Sequence, residues 1–222
     1  MTTSINPSNT KSFASGMNFY KITWIFIIGG VMGYCIEMIW AFAGRGYWES
    51  RQGVIYGPFI PVYAFGALLL TLCLYKFKNA RSPVIFLVSA IIGGGFEFIC
   101  SWFQEAALGT ISWEYSDLPF NLHGRTNLLY SLLFGVLGLL FVRSIYPFFS
   151  GLVEKIPNNI GKTLTWILIT LLIFDFAISA AAVRRRSDRN HGVQASNSFE
   201  EFLDEHYDDD YLNKVFPNMV IV

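Results

Sequence analysis

Charge is scarce in this chain of 222 residues: Asp, Glu, Lys and Arg make up 14% of it, against roughly 25% in soluble proteins. That is too little to give a globule of this size a hydrated surface. Net charge is missing as well, because 16 basic and 16 acidic side chains cancel. A protein that holds nucleic acid through a general basic field is thereby excluded. Cysteine is rare, and Cys35, Cys73 and Cys100 all lie in apolar runs. This excludes a disulfide-stapled secreted module and reads as small apolar packing. No Gly-x-x-x-x-Gly-Lys-[Ser/Thr] phosphate loop occurs, and Gly93-Gly94-Gly95 sits in an apolar run where helix packing accounts for it. The three histidines, His123, His191 and His206, are scattered. They offer no metal-ligand spacing, no nucleophile–base pair stands out, and no cofactor is expected.

What the chain has in abundance is apolar surface, 53% hydrophobic residues and 21 Phe. A helix needs about 20 apolar residues to cross the hydrocarbon of a bilayer. Five runs of nearly that length appear, at about 20–43, 58–75, 83–103, 128–149 and 164–183. They predict an all-α polytopic transmembrane bundle of about five spans occupying residues 20–183. Pro58 and Pro83 are expected near helix starts, where a missing amide donor costs nothing. The first run is too long for a signal-peptide core and lacks a small-x-small cleavage site, so it is expected to remain as an anchor. Residues 1–19, rich in Ser, Thr and Asn, read as a disordered lead. Residues 184–222 begin with Arg184, Arg185, Arg186 and Arg189 and then turn acidic. There Ser198 and Glu201 fit a capping box ahead of Phe199, Phe202, Leu203 and Tyr207, giving either a short amphipathic helix or a solvated tail. With five spans, seven Lys and Arg fall on the face of the N-terminus and seven on the face of loops 1 and 3 and the arginine run after Val183. The positive-inside rule therefore does not choose an orientation, and we call the second face the motif face.

An ionisable group inside a span costs at least about 2.5 kcal/mol on insertion scales, so Glu37, Glu97, Asp175 and Arg125 each ask for a reason. Glu37 and Glu97 lie about six residues, or roughly 9 Å, below the motif-face ends of their spans. Asp175 is somewhat deeper in the same half, and Arg125, Arg45 and Arg51 enter from that face. One shared polar site would serve them all. Gly29, Gly33 and Glu37 form one four-residue stripe, and Gly93, Glu97, Ser101 and Glu105 form another. Small residues permit close helix approach in lipid, which turns the carboxylates inward. The rival for the glutamates is a structural ion pair with Arg51 or Arg125.

Loop 1 (residues 47–63) and loop 3 (residues 113–125) combine Trp and Tyr with Gly and Pro. They are either re-entrant covers of the polar site or an interfacial aromatic belt with ordinary turns. Gly33-x-x-x-Glu37 followed by Trp48-Glu49-Ser50 parallels Gly93-x-x-x-Glu97 followed by Trp113-Glu114-Tyr115-Ser116. The parallel suggests two parallel helix-hairpin repeats, each donating one carboxylate.

At these residues the chain resembles the ABC transporter permease family of type IV, also called CmpB-type, small bacterial multi-span proteins. The resemblance runs over about residues 25–140. It is carried by Gly33 and Glu37, by Gly53, by Tyr56-Gly57-Pro58-Phe59-Ile60-Pro61-Val62-Tyr63, by Trp113-Glu114-Tyr115-Ser116, and by Pro119-Phe120-Asn121 with Gly124-Arg125. Two positions depart: Gln52 stands where the family has the arginine of Asn-Arg-Gly, leaving Arg51 one place earlier, and Glu114 stands for an aspartate. The resemblance implies a bacterial plasma-membrane permease subunit driven by a separate ATPase. Its expected substrate or ion pathway comprises Glu37, Glu97, Arg125, Arg51, Tyr56, Tyr63, Trp113, Asn121, Ser101, Glu105 and Asp175. Two other readings of the residues stay open, an enzyme acting on a lipid or lipid-linked substrate and a membrane scaffold that docks partners. The expected partners are the lipid bilayer, the ATPase and a second copy of the chain, since five helices enclose little room.

Overall fold

The computed structural model describes residues 11–222. Helix α1 (Phe19–Arg45) starts where Asn18 accepts the amide of Lys21 and stops at Gly46, whose φ of 77° only glycine adopts readily. Helix α2 (Pro61–Leu74) returns, ending in a 3₁₀ turn (Tyr75–Phe77). Helix α3 (Ser82–Leu108) crosses again, and a continuous helical path returns through α4 (Leu128–Leu140), a π-helical turn (Phe141–Ile145) and α5 (Tyr146–Glu154). Helix α6 (Asn158–Asn190) makes the last crossing. Four of these paths are long and apolar enough to span a bilayer and α2 is a shorter apolar helix. Large side chains such as Ile39, Trp40, Ile91 and Phe174 point outward along them. The chain is a polytopic helical membrane protein.

Each pair of helices closes through small residues in the same register. A side chain at Gly29 would strike Ala67, and one at Gly33 would strike Tyr63. On the second hairpin, a side chain at Gly93 would strike Phe134, and one at Gly138 would strike Ser89. Gly29 thus corresponds to Ser89, Gly33 to Gly93 and Glu37 to Glu97, while Tyr63 corresponds to Phe134 and Ala67 to Gly138. This spatial match supports the two-hairpin repeat.

The second span begins later than its sequence suggested, at Pro61 rather than Pro58. Residues 53–60 do not form helix because they re-enter the bundle: Val54, Ile55 and Phe59 are buried, and Phe59 packs on Gly30. Ile60 donates its amide to the Gly30 carbonyl at 3.1 Å, and Gly53 donates to the Phe59 carbonyl at 2.9 Å. Loop 1 therefore occupies the motif-face part of the crossing, which is why α2, about 21 Å long, falls short of the hydrocarbon thickness. Loop 3 behaves differently. It carries a two-stranded hairpin, β2 (Asn121–Leu122) against β3 (Thr126–Asn127), turning at His123 and Gly124. Both have positive φ, as a type I′ turn requires. Phe120 on its rim is 80% exposed.

The tail is folded. Helix α7 (Ser198–His206) and helix α8 (Asp209–Val215) lay Leu203, Tyr207, Leu212 and Phe216 on Ile178, Ala182 and Val183 of α6 and on Ile55 of loop 1. Strand β4 (Val220–Ile221) pairs antiparallel with β1 (Thr110–Ile111), just beyond α3. The cap of α7 sits one residue earlier than the sequence suggested. Asn197 accepts the amides of Phe199 and Glu200, and Glu200 reaches back to the amide of Ser196, so Ser198 and Glu201 are not the box. Of the expected disordered lead, residues 1–10 lie outside the described residues. The following stretch is ordered: Phe13 and Ala14 are buried, Phe13 lies on Gly161, and its amide meets Asn158 Oδ1 at 2.6 Å.

Candidate functional site

The α1/α2 hairpin builds the first polar group around Glu37. Arg51, from the turn entering loop 1, donates Nη2 to Glu37 Oε2 at 2.9 Å, and Tyr63 donates its hydroxyl to Oε1 at 2.7 Å. Both carboxylate oxygens are thus engaged, one by a cation. Arg51 thus pairs with Glu37 although Gln52 stands at the place of the Asn-Arg-Gly arginine.

On the second hairpin the arrangement changes. Glu97 is 6% exposed and accepts the Tyr115 hydroxyl on Oε1 at 3.0 Å; Oε2 is buried with no partner at full hydrogen-bond geometry, and the Thr126 hydroxyl lies beside the carboxyl group. Arg125 does not pair with it. Its guanidinium bonds Glu105, and its Nη1 donates to Ser101 Oγ at 3.3 Å. Thr126 Oγ1 and Asn127 Nδ2 are buried without a partner in the same stretch of chain, and Thr126 borders both Gly94 and the Glu97 carboxyl group. Tyr115, in loop 3, stacks on Tyr130 with ring centroids 4.7 Å apart. Burial, then the neighbouring Glu97 charge and hydrogen bond, push its hydroxyl well above the ordinary tyrosine range. Tyr63, which bonds Glu37, also lies within electrostatic reach of Glu97.

Asp175 stands apart from both. It accepts the Tyr56 amide at 3.0 Å and the Ser179 hydroxyl at 3.1 Å, while Ser179 also receives the Ile55 amide at 2.8 Å. Its role in the structure is to hold the re-entrant loop against α6. Tyr56 then reaches the cap that α7 and α8 form over the end of α6, its hydroxyl 2.6 Å from that of Tyr207. Burial and this contact push Tyr207 up to about 12. Trp113 donates to the Arg125 carbonyl at 3.0 Å, and Asn121 ties the carbonyls of Ser116 and Leu118 to the Gly124 amide. These two organise loop 3 and do not reach the carboxylates. By their hydrogen bonds the expected residues separate into Glu37 with Arg51 and Tyr63, Arg125 with Glu105 and Ser101, and Asp175 with Tyr56, while Glu97 bonds Tyr115 and none of the others. Sequence reasoning passed over Tyr115, Thr126 and Ser179. The four-residue spacing of Ser179 from Asp175 was available as a signal, whereas Tyr115 read as one more aromatic in an interfacial loop.

On the cap, Arg185 grips Asp204 with Nε at 2.9 Å and Nη2 at 2.8 Å, and Arg189 bonds Asp204 and Asp209, each at 2.6 Å. The Arg185 hydrogen bond, with Arg189 beside it, holds the Asp204 carboxyl below the usual carboxylate range. The dense arginine run is thus neutralised by the acidic stretch that follows it.

With Glu37 and Glu97 at matching places on two equivalent hairpins, the comparison with known families becomes informative. The family described as "Putative ABC-transporter type IV" matches residues 24–180. The chain belongs to this family. The match runs past the 25–140 expected from its motifs and takes in much of α6, so the fifth helix is part of the family's membrane unit. The end of α6 and the cap, residues 181–222, lie beyond it. No curated protein and no solved structure matches the chain.

Proposed function

We propose that this type IV family chain is a permease-type subunit whose path for a solute or ion follows the polar seam between the two hairpins. A separate ATPase supplies the energy. One observation carries the reading: Glu37 and Glu97, each too costly to leave inside a bilayer without a use, follow the same small-residue stripe at equivalent places on the two hairpins. Around that seam the pathway residues Arg51, Tyr63, Glu105, Ser101 and Arg125 form the polar lining, while Tyr56 and Asp175 couple it to the cap. The apolar grooves of the surface, one lined by Leu70, Phe141 and Tyr146 and another by Trp166 and Thr170, lie elsewhere. A second copy or a partner chain is therefore proposed to complete the path.

The test is twofold. The protein is extracted in mild detergent and its partners are identified, and cells carrying Glu37→Gln or Glu97→Gln are compared with wild type for solute uptake and export. An ATPase that copurifies, together with lost flux in an inserted variant, supports the reading. Unchanged flux in both variants overturns it. A bound lipid that is chemically altered by the purified protein redirects the assignment to an enzyme.

A further inference from the structure

The two glutamates differ in a way the proposed path does not by itself require. Glu37 has a guanidinium on one oxygen and a phenol on the other. Glu97 has one phenol, no cation, and an oxygen with no partner at full hydrogen-bond geometry and no exposed surface. The nearest arginine of its own hairpin, Arg125, is committed to Glu105 and Ser101 further along α3. The ionisable groups that face Glu97 are Tyr115 from loop 3, Tyr63 from α2 and Cys100 from α3 itself. All three side chains are uncharged near neutral pH, so none offsets a carboxylate. An unpaired buried charge is among the costliest features a protein interior can hold. The space around Oε2 is too tight for a water or a metal ion, since the atom has no accessible surface. A proton needs no such space. Placed on the carboxylate, it removes the uncompensated charge, and the Thr126 hydroxyl beside the carboxyl group, which donates to the anion or accepts from the acid, supplies no positive charge in its stead.

From this asymmetry we infer that Glu97 is a proton-binding site, a carboxyl group that stays protonated in the resting bundle and exchanges its proton through the Tyr115 hydroxyl, while Glu37 is a fixed anion. The inference deepens the permease reading by naming the ion of that seam, and it rests on that reading only for the proton's use. The exchange is a simple dissociation, with the proton leaving the carboxyl oxygen and returning to it. Tyr115 suits the relay because a phenol both donates and accepts. Its backbone amide is held by the Gly124 carbonyl at 2.7 Å, so loop 3 fixes the phenol between the motif face and α3.

The experiment uses the purified full chain in lipid nanodiscs, with no solute or ATPase present. Dicyclohexylcarbodiimide partitions into apolar regions and adds to protonated carboxyl groups. The acid proton passes to a reagent nitrogen, the carboxylate oxygen bonds to the central carbon, and rearrangement leaves a stable acylurea detectable on the peptide by mass spectrometry. The expected result is modification of Glu97, falling about tenfold or more between pH about 6 and about 9, with Glu37 at background throughout. As a second readout, Glu97→Gln should melt at or above the wild-type temperature near pH 7, since the amide mimics the neutral acid, whereas Glu37→Gln should melt lower. An unmodified Glu97, equal modification of both glutamates, or a Glu97→Gln variant as destabilised as Glu37→Gln overturns the inference. Neither readout depends on transport. A labelled Glu97 in a chain that moves no solute leaves the proton site standing and removes the permease, and the reverse pattern does the opposite.

Discussion

The two hairpins share a backbone plan and part company in their loops. In both, a small-residue stripe on the leading helix receives the returning helix, and a glutamate follows on that stripe. The first hairpin sends its loop back into the helix bundle, where Phe59 packs on Gly30 and residues 53–60 replace a turn or more of helix. The second folds its loop into a β-hairpin at the surface and lowers only Tyr115 and Thr126 toward the carboxylate. The first glutamate therefore meets a cation carried in by the loop, and the second does not. Equivalent frames have been given one charged and one uncompensated carboxyl group.

The sharpest way to break this comparison is to test whether the frames are equivalent at all. Leucine at Gly33 or at Gly93 would drive into Tyr63 or Phe134 respectively. Each should cost about 3 kcal/mol or more by overpacking a contact between helix backbones. We expect both variants to lose monodisperse protein in size-exclusion chromatography. Loss in only one would show that the hairpins do not close alike.

Next in size is the cation. Arg51→Ala should cost about 2 kcal/mol, because it leaves Glu37 without its partner in a largely buried setting. Arg125→Ala should cost about 1 kcal/mol or less, since its partner Glu105 is 42% exposed. Thermal unfolding in detergent reads the difference, and Glu37→Gln combined with Arg51→Gln should recover part of the first loss. The phenols refine the contrast. Tyr63→Phe removes a hydrogen bond to a charged group, worth about 2 kcal/mol, and Tyr115→Phe removes one to a neutral acid, worth about 1 kcal/mol.

The smallest expected effect concerns the cap. Asp204 has its folded value lowered by Arg185 and Arg189. Its contribution is therefore complete above the ordinary carboxylate range near pH 4 and fades as pH falls through that range to the lower folded value. Limited proteolysis should leave residues 191–222 intact at neutral pH and cut them in acid before the membrane helices yield. Equal resistance at both pH values would remove this ion-pair network from the account of the cap.

The helices were legible because a bilayer imposes length and apolarity, and those two constraints are written in residue order. The short second helix was not. Pro58 and Pro61 both look like helix starts, and only the packing of Phe59 on a glycine of α1 decides between them. The stripe spacing correctly turned Glu37 and Glu97 inward, but spacing cannot say which arginine reaches which acid. Arg51 and Arg125 look interchangeable in the sequence and differ in the structure because one loop dives and the other stands as a hairpin. The tail was ambiguous for a related reason: its arginines and acids signal solubility when read apart and mutual neutralisation once α6 brings them within 3 Å.

The pairing of Thr110 with Ile221 has a consequence for biogenesis. β1 leaves the translocon before α4, α5 and α6 have been made, and its partner strand arrives only after all of them. Ile178, Ala182 and Ile55 thus stay bare at the aqueous boundary until the late-synthesised segment settles on them. A nascent chain stalled before residue 198 would be inserted yet visibly unfinished, an apolar signal for chaperones or proteases that patrol that side.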